Sequence, residues 1–233
     1  MFCFVDYRIT NVEKIRLKNL GLTIIEVPKC DTLYNSIDGH VDIQINIIDK
    51  KTKTILINRN MPNDFKNTLK DFKINFLESS SDLKKNYPFN IGLNSFNINN
   101  YFIHNLKYTD KNLLSLQKDK ILINVKQGYT KCSCLPINDN AFITNDPGIF
   151  KALSKYNFDI LLLPPGDIIL EGLDYGFIGG TGGLINDNTI AFFGNLDYYK
   201  YGTEIKEFLN KYNITPIYLK DDKLTDRGSL FIL

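Results

Sequence analysis

Long apolar runs are absent: no stretch of the 233 residues approaches the roughly 18 uninterrupted apolar positions that a spanning helix requires. The segment Met1-Phe2-Cys3-Phe4-Val5 meets Asp6 and Arg8 at once, so no signal-peptide core is expected at the N-terminus. Cysteine is scarce. Cys3, Cys30, Cys132 and Cys134 are too few for a disulfide framework in a chain of this size. Cys132-Ser133-Cys134 also lacks the two-residue spacing of a zinc knuckle or a thioredoxin motif, so neither metal nor other cofactor is expected. Charge of one sign is not in excess either. The 28 Lys+Arg against 26 Asp+Glu leave a formal charge of +2, which gives no electrostatic case for nucleic acid or an anionic membrane surface. These absences predict a soluble protein of the cytoplasm.

What is present is enough apolar material for a core, 43% of residues with 12% aromatic, and a length that suits one domain over residues 1–233. A repeat runs through it. Ile137-Asn138-Asp139-Asn140-Ala141-Phe142-Ile143 returns as Ile185-Asn186-Asp187-Asn188-Thr189-Ile190-Ala191, and a weaker copy begins at Ile98-Asn99-Asn100-Tyr101. Ahead of these, Ile47-Ile48-Asp49 and Thr54-Ile55-Leu56-Ile57 flank Lys50 to Lys53. Each copy is a β-rich run, a cluster of Asn, Asp or Lys, and a second β-rich run; Asn and Asp tolerate positive φ, so each reads as a hairpin.

The segment after each hairpin repeats as well. A helical stretch and then an apolar strand come after Asn58, Asn105, Asn145 and Asn195, with Asx or Thr residues at the helix starts, where a side chain can satisfy free N–H groups. The junctions Lys155-Tyr156-Asn157 and Lys211-Tyr212-Asn213 match in sequence. Four ββαβ units result. The ends supply a fifth: Asn11 caps a helix through Ile15 and Leu20, Gly21 stops it, and Leu22 to Val27 is the strand after it. The missing hairpin of this unit is expected between Phe2 to Val5 and Ser229 to Leu233. Five such units closing on themselves leave no long exposed edge.

A closed set of five ββαβ units resembles the pentein fold of the guanidino-group modifying enzymes, an α/β five-bladed propeller whose fifth blade is completed by both termini. That superfamily includes arginine deiminase, agmatine deiminase, dimethylarginine dimethylaminohydrolase, the amidinotransferases and a non-catalytic ribosome anti-association factor. The phrases Gly39-His40-Val41-Asp42-Ile43-Gln44, Lys126-Gln127-Gly128-Tyr129-Thr130-Lys131-Cys132-Ser133 and Gly176-Phe177-Ile178-Gly179-Gly180 are similar to an uncharacterised bacterial branch of it. The resemblance implies a cysteine thiolate attacking an amidine carbon, a histidine handling protons, and carboxylates holding the cationic guanidinium. The family's C-terminal cysteine falls on Leu230 or Phe231 here. The unit before it, where the histidine is expected, reads Gly179-Gly180-Thr181-Gly182-Gly183. Neither half of the usual dyad is present, which argues against ordinary amidine hydrolysis.

Other residues are candidates for chemistry. Val41 to Ile47 alternates as a strand with Asp42, Gln44 and Asn46 on one face. Asp42 and Gln44 would bind a cationic or amide-bearing ligand; an amphipathic strand with one solvated face explains the pattern as well. Lys131-Cys132-Ser133-Cys134 offers a thiol beside an ammonium, with Cys132 and Cys134 on one strand face, and His40 is the one plausible base for it. Buried free cysteines more often simply pack. The glycine run reads as backbone crowded near an axis, and Asp226 and Arg227 as residues at the same mouth or as a surface turn.

Three functions stay open. The first is binding of a small amine-, amide- or guanidine-bearing metabolite in an axial pocket through His40, Asp42, Gln44, Lys131, Asp226 and Arg227. The second is an amidinotransferase- or deiminase-like enzyme whose nucleophile has moved to Cys132 or Cys134, with His40 as base. The third is a non-catalytic interaction module.

Overall fold

The computed structural model describes residues 1–233. In chain order its elements are β1 (Phe2–Asp6), α1 (Asn11–Asn19), β2 (Thr23–Val27), α2 (Val41–Gln44), β3 (Ile45–Asp49), β4 (Thr54–Ile57), α3 (Asn63–Asp71) and β5 (Asn75–Glu78). Next come β6 (Phe96–Ile98), β7 (Tyr101–His104), α4 (Lys111–Ser115), β8 (Ile121–Asn124), β9 (Cys134–Pro136), β10 (Ala141–Thr144), α5 (Pro147–Leu153) and β11 (Asp159–Leu162). The last are β12 (Gly182–Asn186), β13 (Thr189–Phe192), α6 (Gly202–Lys211), β14 (Thr215–Tyr218) and β15 (Phe231–Ile232).

The strands form five three-stranded sheets of one design. In each, a middle strand pairs antiparallel with the first and parallel with the third, and a helix makes the crossover: β3-β4-β5, β6-β7-β8, β9-β10-β11 and β12-β13-β14. The fifth is β15-β1-β2, in which the two chain ends pair in the register Cys3↔Ile232 and Phe4↔Phe231. Two of the four hairpin turns use the left-handed conformation, at Lys53 and Asn99, φ 50° and 51°, whereas those at Asn138–Asn140 and Asn186–Asn188 do not. No helix is long and apolar enough to cross a membrane.

Each middle strand is largely apolar and buried because both of its faces are covered, with Asp6, Thr54, His104, Thr144 and Thr189 as the polar exceptions. Adjacent residues enter different clusters. Phe142 packs with Phe96, Ile103 and Ile149, whereas Ile143 packs with Phe192, Ile205 and Leu209. Ala191 and Phe193 meet Cys3, Val5 and Leu17; Phe4 meets Ile55, Ile57 and Phe65; Leu56 meets Leu93, Phe102 and Leu113. Five apolar clusters thus join each sheet to the next, and the terminal sheet to the first. Phe4, Phe96, Phe102, Phe142, Phe192 and Phe193 are fully buried, each worth about 1.5–3 kcal/mol of transfer free energy.

Local details differ from the sequence reading. The cap of α1 is Thr10, not Asn11, in a reciprocal pair with Glu13. Asp110 and Asp146 cap α4 and α5 as expected, but α3 and α6 begin without a side-chain cap. Val41–Gln44 is one helical turn rather than the start of a strand, and the pleat begins only at Ile45. The segment ahead of Cys134 is likewise a turn, so Cys132 and Cys134 do not share a strand face.

Candidate active site

Five loops run from the third strand of one sheet to the first strand of the next, and their last residues converge. Asp42, Asn94, Lys131 with Cys132, Gly179 with Gly180, and Gly228 with Ser229 stand just ahead of β3, β6, β9, β12 and β15. Hydrogen bonds link them in a circuit. Asn94 Nδ2 donates to Asp42 O at 2.9 Å, and the amides of Lys131 and Cys132 donate to Asn94 Oδ1 at 2.9 and 3.2 Å. Gly179 N donates to Cys132 O at 2.8 Å, Ser229 N to Gly180 O at 3.1 Å, and Asp42 N to Gly228 O at 3.0 Å, which returns to the start.

Glycine is required here by space. A Cβ on Gly179 would lie 2.3, 2.4 and 2.6 Å from the carbonyl oxygens of Lys131, Cys134 and Cys132, and one on Gly180 would strike Asp226 Oδ1. The glycine run therefore packs backbone against backbone, as the sequence indicates. It forms a single 3₁₀ turn over Ile178–Thr181.

Inside the circuit lie His40, Asp42, Cys132, Asp226, Lys131 and Ser229, all buried. Cys132 Sγ donates to Asp42 Oδ1 at 3.2 Å and accepts from Asn94 Nδ2 at 3.2 Å. The Ser229 hydroxyl reaches Asp42 Oδ2 at 2.6 Å and Gly179 O at 2.7 Å. Lys131 Nζ directs its donors to Ser229 Oγ, Gly179 O and Cys134 O at 2.8, 3.2 and 3.3 Å. His40 Nδ1 lies 3.9 Å from Asp226 Oδ1, and neither ring nitrogen has a hydrogen-bond partner. Asp226 is fixed by the amides of Phe177 and Gly228, both at 2.9 Å. Gly228 leaves room for the imidazole, since a Cβ there would sit 2.2 Å from His40 Cβ.

Burial dominates the electrostatics. It pushes the Cys132 thiol well above its ordinary value, and the charges of Asp42 and Asp226 push it further. Burial also raises Asp226, opposed by His40, and lowers Lys131, opposed by Asp42. The resting nucleophile candidate is therefore a neutral thiol.

Not every residue singled out from the sequence joins this cluster. Gln44 donates to Pro28 O and Asp38 O, both at 2.9 Å, and so pins the loop before His40. Cys134 packs with Phe96, Ile103 and Phe142, where burial lifts its thiol to about 12. Arg227 lines a separate small cavity of about 140 Å³ with Asp226, Thr225 and Arg8. A larger cavity, about 640 Å³, is bordered by the first strand of every sheet, with Asn46, Asn97, Pro136, Gly183 and Phe231 among its walls. Of the predicted residues only Lys131 reaches it. Asn94 and Ser229 were not among the sequence candidates; their position just ahead of a first strand, shared with Asp42 and Cys132, is the signal that marks them. Leu230 and Phe231 belong to the strand itself, and Ser229 is the residue that this segment sends into the cluster.

Residues 4–231 match the model of a family described as "Family of unknown function (DUF6873)". The chain belongs to this family. No curated protein matches it. Among solved structures, it is similar to an amidinotransferase from Microseira wollei in the saxitoxin biosynthetic pathway, with TM-score 0.53 and 10% identity over 92% of this chain and 73% of that one. The inosamine-phosphate amidinotransferase of Streptomyces griseus gives TM-score 0.53 and 11% identity over 93% of this chain and 74% of that one. Both are pentein-superfamily proteins, and the fold of the family member described here is theirs.

Proposed function

We propose that the chain is a five-bladed pentein propeller that binds an amidine- or guanidine-bearing metabolite at the buried cluster and processes it through Cys132. The propeller reading is supported by the hydrogen-bond circuit and by the 640 Å³ cavity that borders the first strand of every sheet. One observation carries the chemistry: a thiol, an unpartnered imidazole and two carboxylates lie together in one buried cluster.

Two buried carboxylates beside one ammonium form a site short of positive charge. An amidinium supplies that charge and presents N–H groups in the geometry carboxylates accept. Its arrival also cancels the field that holds the Cys132 proton in place, so the substrate itself favours the thiolate. Sγ then bonds to the amidine carbon, the thiol proton passes to His40, and the carbon–nitrogen bond breaks as the leaving amine takes that proton. The group on sulfur moves to an amine or reacts with water, which releases a urea from a guanidine substrate and an amide from an amidine. Four unpaired, buried thiols suit a reducing compartment, which supports a cytoplasmic site of action.

The test is a panel of guanidines and amidines with ammonia, urea and amidino-transfer readouts. Turnover that disappears in Cys132→Ala and His40→Gln supports the enzyme. The enclosure of Cys132, which raises its thiol, favours the second reading of binding without turnover. In that case the cations raise Tm in wild type and not in Asp42→Asn, with no product formed. Absence of both turnover and stabilisation overturns both readings.

A further inference from the structure

We infer that Cys132, His40 and Asp42 form a binding site for a thiol-seeking divalent metal ion of the Zn2+ type. One donor atom from each residue lies within 4.8 Å of the other two, and all three side chains are buried. Bonds of about 2.0–2.3 Å at tetrahedral angles put ligand atoms about 3.3–3.8 Å apart. The 3.2 Å separation of Cys132 Sγ and Asp42 Oδ1 is close to this, and the imidazole nitrogen, within 4.8 Å of both, needs to close in by at most about 1.5 Å.

An independent observation points the same way. His40 is 1% exposed and both its ring nitrogens lack any partner, although buried imidazoles are ordinarily bonded. Asp226 Oδ1, 3.9 Å from Nδ1, stands where a carboxylate can orient a ligating ring. A set of one sulfur, one nitrogen and one oxygen suits a borderline-soft ion and leaves a fourth position for water. Uptake replaces the Cys132 proton: the S–H bond breaks, the proton leaves to solvent, and thiolate plus carboxylate balance the two positive charges. Asp226, the neighbour of His40, also lines the small cavity of about 140 Å³. The sequence concealed the site because its ligands come from positions 40, 42 and 132, with no metal-type spacing.

Affinity for the ion does not depend on the amidine reading. Where that reading holds, the ion occupies the nucleophile and switches it off. The full chain, stripped with chelator, is titrated with Zn2+ alone by calorimetry and with Co2+ in the near ultraviolet. One equivalent of Zn2+ and a thiolate-to-cobalt charge-transfer band are expected. Cys132→Ser removes the band and weakens Zn2+ binding more than about 100-fold, whereas Cys30→Ser changes neither. His40→Gln weakens it more than about tenfold, which guards against a misfolded Cys132 variant. No uptake by wild type, or affinity unchanged in both Cys132→Ser and His40→Gln, overturns the inference. Amidine turnover is measured separately in chelator, so either idea can fail alone.

Discussion

Cys132 and Asp42, 90 residues apart in the chain, meet through a 3.2 Å hydrogen bond in which the thiol donates to the carboxylate. The bond stabilises the protonated sulfur, as does the negative charge behind it, and both add to the larger effect of burial. Removing the charge while keeping the shape exposes this coupling. Asp42→Asn is expected to alkylate at Cys132 several-fold faster than wild type at pH 8, read by mass spectrometry of the modified peptide. A slower or unchanged rate would show that Asp42 does not govern the thiol.

Ser229 links the other side of the same carboxylate to Lys131, and it does so from a left-handed conformation, φ 72°. A β-carbon is disfavoured there, so the hydroxyl network must outweigh the strain. Ser229→Ala keeps the strain and loses the bonds, and is expected to cost about 2 kcal/mol, a fall in Tm of about 4–8 °C. Ser229→Gly loses the same bonds but relieves the backbone, so it should lie between Ser229→Ala and wild type. The reverse order of the two variants in a thermal melt would remove the strain argument.

The two glycine environments make an internal comparison. Gly21 also has positive φ, 75°, yet nothing lies within 4 Å of a Cβ there, and Gly21→Ala should cost about 1 kcal/mol, the penalty of a β-carbon in that conformation. At Gly179 the obstruction is three backbone carbonyls from the loop carrying Cys132. None can rotate aside, so Gly179→Ala should cost more than about 3 kcal/mol and yield little folded protein. Equal denaturant midpoints for the two variants would mean that the glycine run is not the crowded point of the circuit.

The fold was legible because its signals are local and repeated. Asx-rich turns between β-rich runs mark hairpins without knowledge of the neighbours, and the pairing of the two chain ends comes from counting units, whereas its register, Phe4 with Phe231, comes only from the structure. The site was legible only in its residue types. Alternation from Val41 to Ile47 imitated a strand, but Gln44 turns to the carbonyls of Pro28 and Asp38, and a helical turn aims Asp42 at Cys132 instead. Cys132 and Cys134 looked equivalent, yet the pleat begins at Cys134 and sends it into apolar core. Residues that end loops obey no periodicity. Their placement depends on the register of the next strand, and that is set by tertiary pairing.

His104, the second histidine, lies outside the site and gives the protein a predictable acid sensitivity. It is fully buried, with ring nitrogens 2.8 Å from Thr109 Oγ1 and 3.1 Å from Gly128 O, and burial lowers its pKa from 6.5 to about 4. A folded-state value below the unfolded one means that the unfolded chain takes up the proton first as pH falls. Stability is therefore undiminished by this group above about pH 6.5 and declines as pH drops from there toward 4, by about 3 kcal/mol in all. Carboxylates titrate in the same window, so the comparison must be with His104→Gln, which is less stable overall but lacks this proton. The gap between the two urea-unfolding free energies should narrow between pH 7 and pH 4.5. A constant gap would show that His104 is already protonated in the native state or reaches solvent without unfolding.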